Sequence, residues 1–146
     1  MDSKLKLLFL CSGNSCRSKM AEAWAQVLLP QFDAYSAGMF PHELNPYALA
    51  AMKEKDITLS SKTQDVNDLN SLNFDHVIIV CDKSSKNCQV DFQGANVIHQ
   101  NFTGPSKLAR TKNTEEEKMD CFRLVRDEIH EFIKTLPDSL STSTSK

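Results

Sequence analysis

The chain has 146 residues, 40% of them hydrophobic and 25% charged, which suits one soluble domain with a sizeable core. Its net charge is −2 with no block of basic residues, so the composition gives no support to a nucleic-acid or anionic-membrane surface, and any anion must be bound locally. The N-terminal apolar run, Leu7 to Leu10, is too short for a membrane span or a signal-peptide core; in the cytoplasm expected for such a chain, five cysteines suggest transient thiol chemistry rather than structural disulfides.

Leu5 to Leu10 reads as a first strand, and Ser18 to Leu29 as a first helix stopped by Pro30, with Met20, Trp24, Val27 and Leu28 at helical spacing. Between them lies Cys11-Ser12-Gly13-Asn14-Ser15-Cys16-Arg17-Ser18, a small polar loop leading into a helix N-terminus. Loop amides left unpaired, the positive end of the helix dipole and the guanidinium of Arg17 converge there on a site for a tetrahedral oxyanion such as phosphate or arsenate. The same field favours the thiolate form of Cys11, which is the nucleophilic form, and Ser18 adds a hydroxyl able to donate to it. A nucleotide-type phosphate loop is excluded because no Gly-Lys-Ser/Thr follows.

Asp33 to Ala37 gives a second strand ending at Gly38. Asn45 and Pro46 then form an N-cap with proline at the first helical position, and Ala48, Leu49 and Met52 give the second helix an inward face. Ser60 to Leu72 reads as a loop with a short helix around Val66 to Leu69. Val77 to Val80 is a β-branched run, a buried parallel strand that, like the first, ends on a cysteine, here Cys81. Asn96 to His99 makes a weaker fourth strand, with His99 a strand-end residue rather than a base; His42, His76, His99 and His130 have no metal-ligand spacing. Thr103 to Lys118 reads as a long loop. Thr114 with Glu117 three residues on caps the last helix, whose stripe of Met119, Phe122, Val125, Ile129, Phe132, Ile133 and Leu136 runs to Pro137. The domain is expected to occupy residues 1–137, with 138–146 a disordered Ser/Thr tail. Strands alternating with helices imply an α/β fold, a parallel sheet with helices on both faces, whose ligands bind beyond the carboxyl ends of the strands, where Cys11 and Cys81 both sit.

These residues resemble the low-molecular-weight protein tyrosine phosphatase family, and within it the thioredoxin-coupled arsenate reductases. The resemblance covers most of residues 4 to 136 and rests on Cys11 to Ser18 with Met20-Ala21-Glu22, on Tyr35-Ser36-Ala37-Gly38, on Cys81 with Cys88, and on Arg126-Asp127-Glu128-Ile129. Serine at position 15 favours the reductases, since the phosphatases usually carry an aliphatic residue there. The resemblance implies a four-stranded sheet of order 2-1-3-4, oxyanion binding by Ser12, Gly13, Asn14, Ser15, Cys16 and Arg17, and a single chain acting as a monomer. It also implies that Cys11 attacks arsenate, that Cys81 attacks Cys11 and expels arsenite, that Cys88 pairs with Cys81, and that thioredoxin reduces the last bond. Phosphate or sulfate would mimic the substrate. Neighbouring strands lie about 4.8 Å apart, which suits the roughly 4.4 to 6.8 Å a disulfide needs between Cα atoms. If 81–88 were continuous helix, a rise of about 1.5 Å per residue would hold Cys81 and Cys88 about 10 Å apart, so the segment must rearrange to pair them. Cys16 is expected to shape the loop, and neither it nor Cys121 is given a redox role. A potassium site would fall on Asn14, Glu22, Ser36 and Asp65. One departure stands out: the family generally places an aspartate before a proline in the long loop, where this chain has Gly104-Pro105. A phosphatase using Cys11 and Arg17 alone and a non-catalytic oxyanion-binding protein remain the alternatives.

Overall fold

The computed structural model describes residues 5–11, 16–38, 43–60, 63–69, 73–80, 95–100 and 102–144, with 138–144 as backbone only. Strands β1 (Leu5–Cys11), β2 (Phe32–Gly38), β3 (His76–Ile79) and β4 (Asn96–His99) form one sheet in the order β2-β1-β3-β4, all pairs parallel. The central position of β1 follows from its sequence: Leu7 to Leu10 are fully buried without alternation, the pattern of a parallel strand covered on both faces. β3 is buried at every position, whereas β4 at the sheet edge alternates between half-buried and exposed residues.

Helix α1 (Arg17–Leu28) packs on β1 and β2 through Met20, Ala21, Trp24 and Ala25. α2 (Pro46–Lys53) begins as the sequence predicts: the Asn45 side chain accepts from Tyr47 N at 2.8 Å and Ala48 N at 3.3 Å, with proline at the first turn. A 3-10 turn covers Val66–Leu69, also as expected. α4 (Glu115–Thr144) opens with a reciprocal capping box, Glu117 N donating to Thr114 Oγ1 and Thr114 N to Glu117 Oε1, both at 3.1 Å. Its buried stripe of Phe122, Val125, Ile129, Ile133 and Leu136 completes the core, and the helix packs against α1, α2 and the short helix α3 (Pro105–Ala109). No helix among the described residues is long and apolar enough to cross a membrane.

The structure corrects two sequence expectations. Within the segment read as a loop, Pro105–Ala109 forms α3: Pro105 at the first turn is already set for helix, and Pro105 and Ala109 are buried. The last helix does not stop at Pro137 but runs on to Thr144, covering most of the stretch expected as a disordered tail. Proline removes one backbone donor and crowds the preceding turn. The turn before it is anchored by the fully buried Ile133 and Leu136, so the helix is held in place up to the ring.

Arg126 interrupts the apolar stripe of α4 with a buried cation. Its guanidinium donates to Ala51 O and Glu54 Oε1, each at 2.9 Å, and to Asp127, tying α4 to the end of α2. Arg123 holds the same Glu54 through bonds as short as 2.7 Å. These guanidinium bonds, those of Arg123 foremost, lower the Glu54 carboxyl from its ordinary 4.5 to about 2. A folded value below the unfolded one means that the stabilisation is complete above the unfolded carboxyl's range and is lost as pH falls through the folded value. Glu54→Gln should therefore lower the urea midpoint at neutral pH, and its gap to the parent should close between pH 4.5 and about 2. Urea titrations of both proteins across that range check this; a gap independent of pH would refute it.

Candidate active site

β1 delivers Cys11 to the carboxyl edge of the sheet, paired in register with Gly38 at the end of β2. α1 starts at Arg17, with Cys16 at its N-cap; among the described residues no side chain caps its amides and no acidic residue stands in its first turn, so no described side chain offsets the positive end of its dipole there. Residue 18 then comes back onto the nucleophile: Cys11 Sγ and Ser18 Oγ are 2.9 Å apart, both buried, Cys11 only 4% exposed. When the sulfur is a thiolate, the hydroxyl is the donor. Arg17 is fixed from the opposite end of the sheet, where its Nη1 donates to Phe102 O at 2.8 Å just past β4. Phe102 is itself buried and packs edge-on against Phe132 of α4, with ring centroids 5.7 Å apart. One of the five guanidinium N–H groups is thereby engaged in holding the fork in place. Cys16, buried beside Cys11, has its thiol pushed up to about 12, chiefly by burial and further by Cys11, so it stays protonated. This fits a shaping role for Cys16 and leaves one nucleophilic sulfur in the described part of the site.

The structure thus brings together Cys11, Cys16, Arg17 and Ser18 of the sequence-derived site. Ser12, Gly13, Asn14 and Ser15 lie outside the described residues, as do Cys81 and Cys88. Val80, which precedes Cys81, is described: its N–H donates to Leu10 O at 2.9 Å, alongside the residue that precedes Cys11. Gly104 stands against Arg17. A Cβ placed on it would lie 3.7 Å from Nη2 and 3.8 Å from Cζ, and its φ of −67° and ψ of 118° suit any residue. The position opposite the guanidinium therefore holds no carboxylate. Cys121, on α4 and buried, donates to Glu117 O of its own helix at 3.5 Å. His99 is exposed at the end of β4.

Of the residues considered for potassium, Asn14 lies outside the described residues. Glu22 Oε1 accepts from Ser36 Oγ at 2.7 Å, Gln64 Nε2 donates to Ser36 O at 3.3 Å, and Asp65 Oδ1 is taken up by Asn67 N at 2.8 Å. Burial raises the Glu22 carboxyl, against which the Ser36 bond and the charge of Lys19 act. Lys19 is only 3% exposed and lines the same cavity as Glu22 and Gln64. The Glu22, Ser36 and Asp65 oxygens are thus already engaged with protein donors and acceptors, a set that does not fit a potassium ion, and no step is drawn through one. Among the described residues no group of three His, Cys, Asp or Glu side chains could hold a metal. The sequence reading missed Lys19 and the Phe102 carbonyl. Lys19 was legible only as a lysine three residues before Glu22 on one helix; a backbone carbonyl leaves no sequence signal.

Comparison with known proteins agrees with this geometry. Residues 6–146 match the family described as low molecular weight phosphotyrosine protein phosphatase. The chain is 42% identical to an arsenate reductase of Bacillus licheniformis, over 94% of this chain and 98% of the relative. It is likewise 42% identical to an arsenate reductase of Bacillus subtilis strain 168, over 95% of this chain and 99% of the relative. The crystal structure of an arsenate reductase from Archaeoglobus fulgidus superposes with a TM-score of 0.75 at 27% identity, covering 89% of this chain and 97% of that one. With a family match that spans nearly the whole chain, this protein belongs to the low molecular weight phosphotyrosine protein phosphatase family.

Proposed function

We propose that this protein reduces arsenate to arsenite, with Cys11 as nucleophile and Cys81 and Cys88 carrying the oxidation away to thioredoxin. The observation that carries the reading is the pairing of β1 with β3, in which Val80 and Leu10 are hydrogen-bonded neighbours and each is followed directly by one of the two cysteines. Arsenate is held by Arg17 and the amides of the loop through residues 12 to 16, and the Cys11 thiolate displaces one arsenic-bound hydroxyl, which leaves as water with the proton of a second arsenate hydroxyl, to form a sulfur–arsenic bond. The Cys81 thiolate then attacks Cys11 Sγ; the electron pair of the sulfur–arsenic bond passes to arsenic, which departs as arsenite, and a Cys11–Cys81 disulfide remains. Attack by Cys88 on Cys81 frees Cys11, and a dithiol of thioredoxin reduces the Cys81–Cys88 bond. Two electrons enter arsenic and two leave the thiols. Ser18 holds the Cys11 sulfur as an anion before attack and again when it leaves the disulfide.

A phosphatase reading draws on the same cradle, but an ester leaving group needs a proton, and Gly104 places none beside Arg17. Arsenate reduction differs in that the departing group is a hydroxyl whose extra proton can come from a second hydroxyl of the substrate, so the step does not require a side-chain acid. The geometry therefore favours the reductase.

Cys88→Ser should release about one equivalent of arsenite per chain and then stall as a Cys11–Cys81 disulfide, whereas Cys81→Ser should release none. Arsenite assay with thioredoxin, its reductase and NADPH, followed by disulfide mapping, decides this; full turnover in both variants would end the relay. Ser18→Ala should lower kcat for arsenate by roughly 10- to 100-fold, the worth of a hydrogen bond to a charged group, as seen in steady-state kinetics. Gly104→Asp should raise hydrolysis of an aryl phosphate by about 10²-fold and add a falling alkaline limb to its pH–rate profile, the mark of a general acid. No gain would mean that the position does not face the leaving group.

A further inference from the structure

The oxyanion site has to draw an anion toward a protein of net charge −2 and onto a sulfur that is itself anionic, so positive charge must be supplied close to the cradle. Arg17 is one source. A second stands beside it on α3, where Lys107 is exposed in the last turn. A Cβ added at Gly104 would lie 3.7 Å from Arg17 Nη2 and 3.9 Å from Lys107 Cβ, so the guanidinium and the root of the lysine stem flank one small space that glycine leaves open. Lys107 N donates to Gly104 O at 3.1 Å, which ties the two positions together. No described carboxylate offsets either charge: among the described residues, neither Arg17 nor Lys107 enters an ion pair. The acids that follow α3 are taken up elsewhere, Glu115 by Tyr47, Glu116 and Asp120 by Arg123, and Glu117 by the amides of Asn113 and Thr114.

We propose that Lys107 is an anion-capturing residue of this site: its ammonium, carried on a flexible four-carbon stem that leaves the chain beside Arg17, adds to the local positive field that draws in the tetrahedral oxyanion. The glycine at 104 is part of the same device. A carboxylate there would stand between the two cations and offset one of them, whereas glycine leaves both charges to the incoming anion. An exposed ammonium acts through water, so its contribution is screened by salt and falls on encounter and binding rather than on the chemical step. The inference rests on the reading of Cys11 and Arg17 as an oxyanion site, and it holds whether the bound oxyanion is reduced or hydrolysed.

The test uses titration calorimetry with inorganic phosphate and steady-state kinetics with arsenate, each in about 0.02 M and about 0.5 M sodium chloride. It compares the parent with Lys107→Gln, Lys107→Arg and Lys134→Gln, the last removing a lysine that pairs with Glu131 on α4. Lys107→Gln should bind phosphate roughly 3- to 10-fold more weakly in low salt and within about 2-fold of the parent in high salt, with an equal rise in KM for arsenate and kcat within about 2-fold. Lys107→Arg and Lys134→Gln should match the parent. Undiminished affinity in Lys107→Gln, a loss that persists in high salt, a loss that arginine fails to rescue, or an equal loss in Lys134→Gln would each overturn the proposal. A phosphate-binding loss confined to low salt, in a protein that forms no arsenite, would uphold it and reject the reductase; a parent that binds no phosphate would overturn both the proposal and the oxyanion site.

Discussion

The hydrogen bond between Cys11 and Ser18 is the constraint on which the site depends, because it fixes where the strand stops relative to where the helix begins. A sulfur at the end of a buried central strand and a hydroxyl in the first turn of the next helix can be 2.9 Å apart only if the connection is short and α1 lies close on β1 and β2. The fully buried run Leu7 to Leu10 settles the first of these surfaces and Met20, Ala21 and Ala25 the second. Packing thus sets the geometry, and the polar contact reads it out. The helix N-terminus then faces the sulfur with its amides uncapped by any described side chain, which concentrates positive potential in a protein whose net charge is −2.

Arg17 shows how the far side of the sheet takes part. Held by the Phe102 carbonyl, whose ring is wedged against Phe132 of α4, the guanidinium depends on the last helix being seated. α4 is seated in turn by Arg126 and by Trp24, whose indole N–H donates to Arg126 O at 3.2 Å and whose ring meets His130 edge-on. A cationic fork at the anion site is therefore linked through aromatic contacts to a second buried guanidinium on the opposite side of α1. Two arginines of similar appearance in the sequence do unlike work: one keeps donors for an oxyanion, the other has its donors occupied by Ala51, Glu54 and Asp127.

Much of this was legible in the residues. The strand run ending on Cys11, the Asn45-Pro46 cap, the Thr114–Glu117 box and the stripe of α4 each carry a local signal that tertiary packing did not overrule, and all appear where expected. What sequence could not give were features made by distant segments meeting. Lys19 looks like any helical surface lysine until α1 is laid against Thr58, Leu59, Ser60 and Gln64, and the carbonyl of Phe102 belongs to no residue type. The two misread stretches each contain a proline. At Pro105 it opens a helix, where its missing N–H has no partner to lose, and at Pro137 the packing of the preceding turn carries the helix through.

The burial that makes Cys11 a protected nucleophile also decides how it must be recharged. With 4% of its surface exposed and Ser18 against it, Cys11 offers little surface to the dithiol of another protein. Any oxidation left on Cys11 would be stranded unless a second thiol of the same chain could take it over; Cys16 beside it is held protonated by burial, which leaves a thiol that follows a strand beside β1. Of its two neighbours, β2 ends at Gly38 and β3 leads into Cys81, so only the β3 side can supply the sulfur. On the proposed reading, chain topology and the inaccessibility of Cys11 together require the oxidation to travel outward in stages.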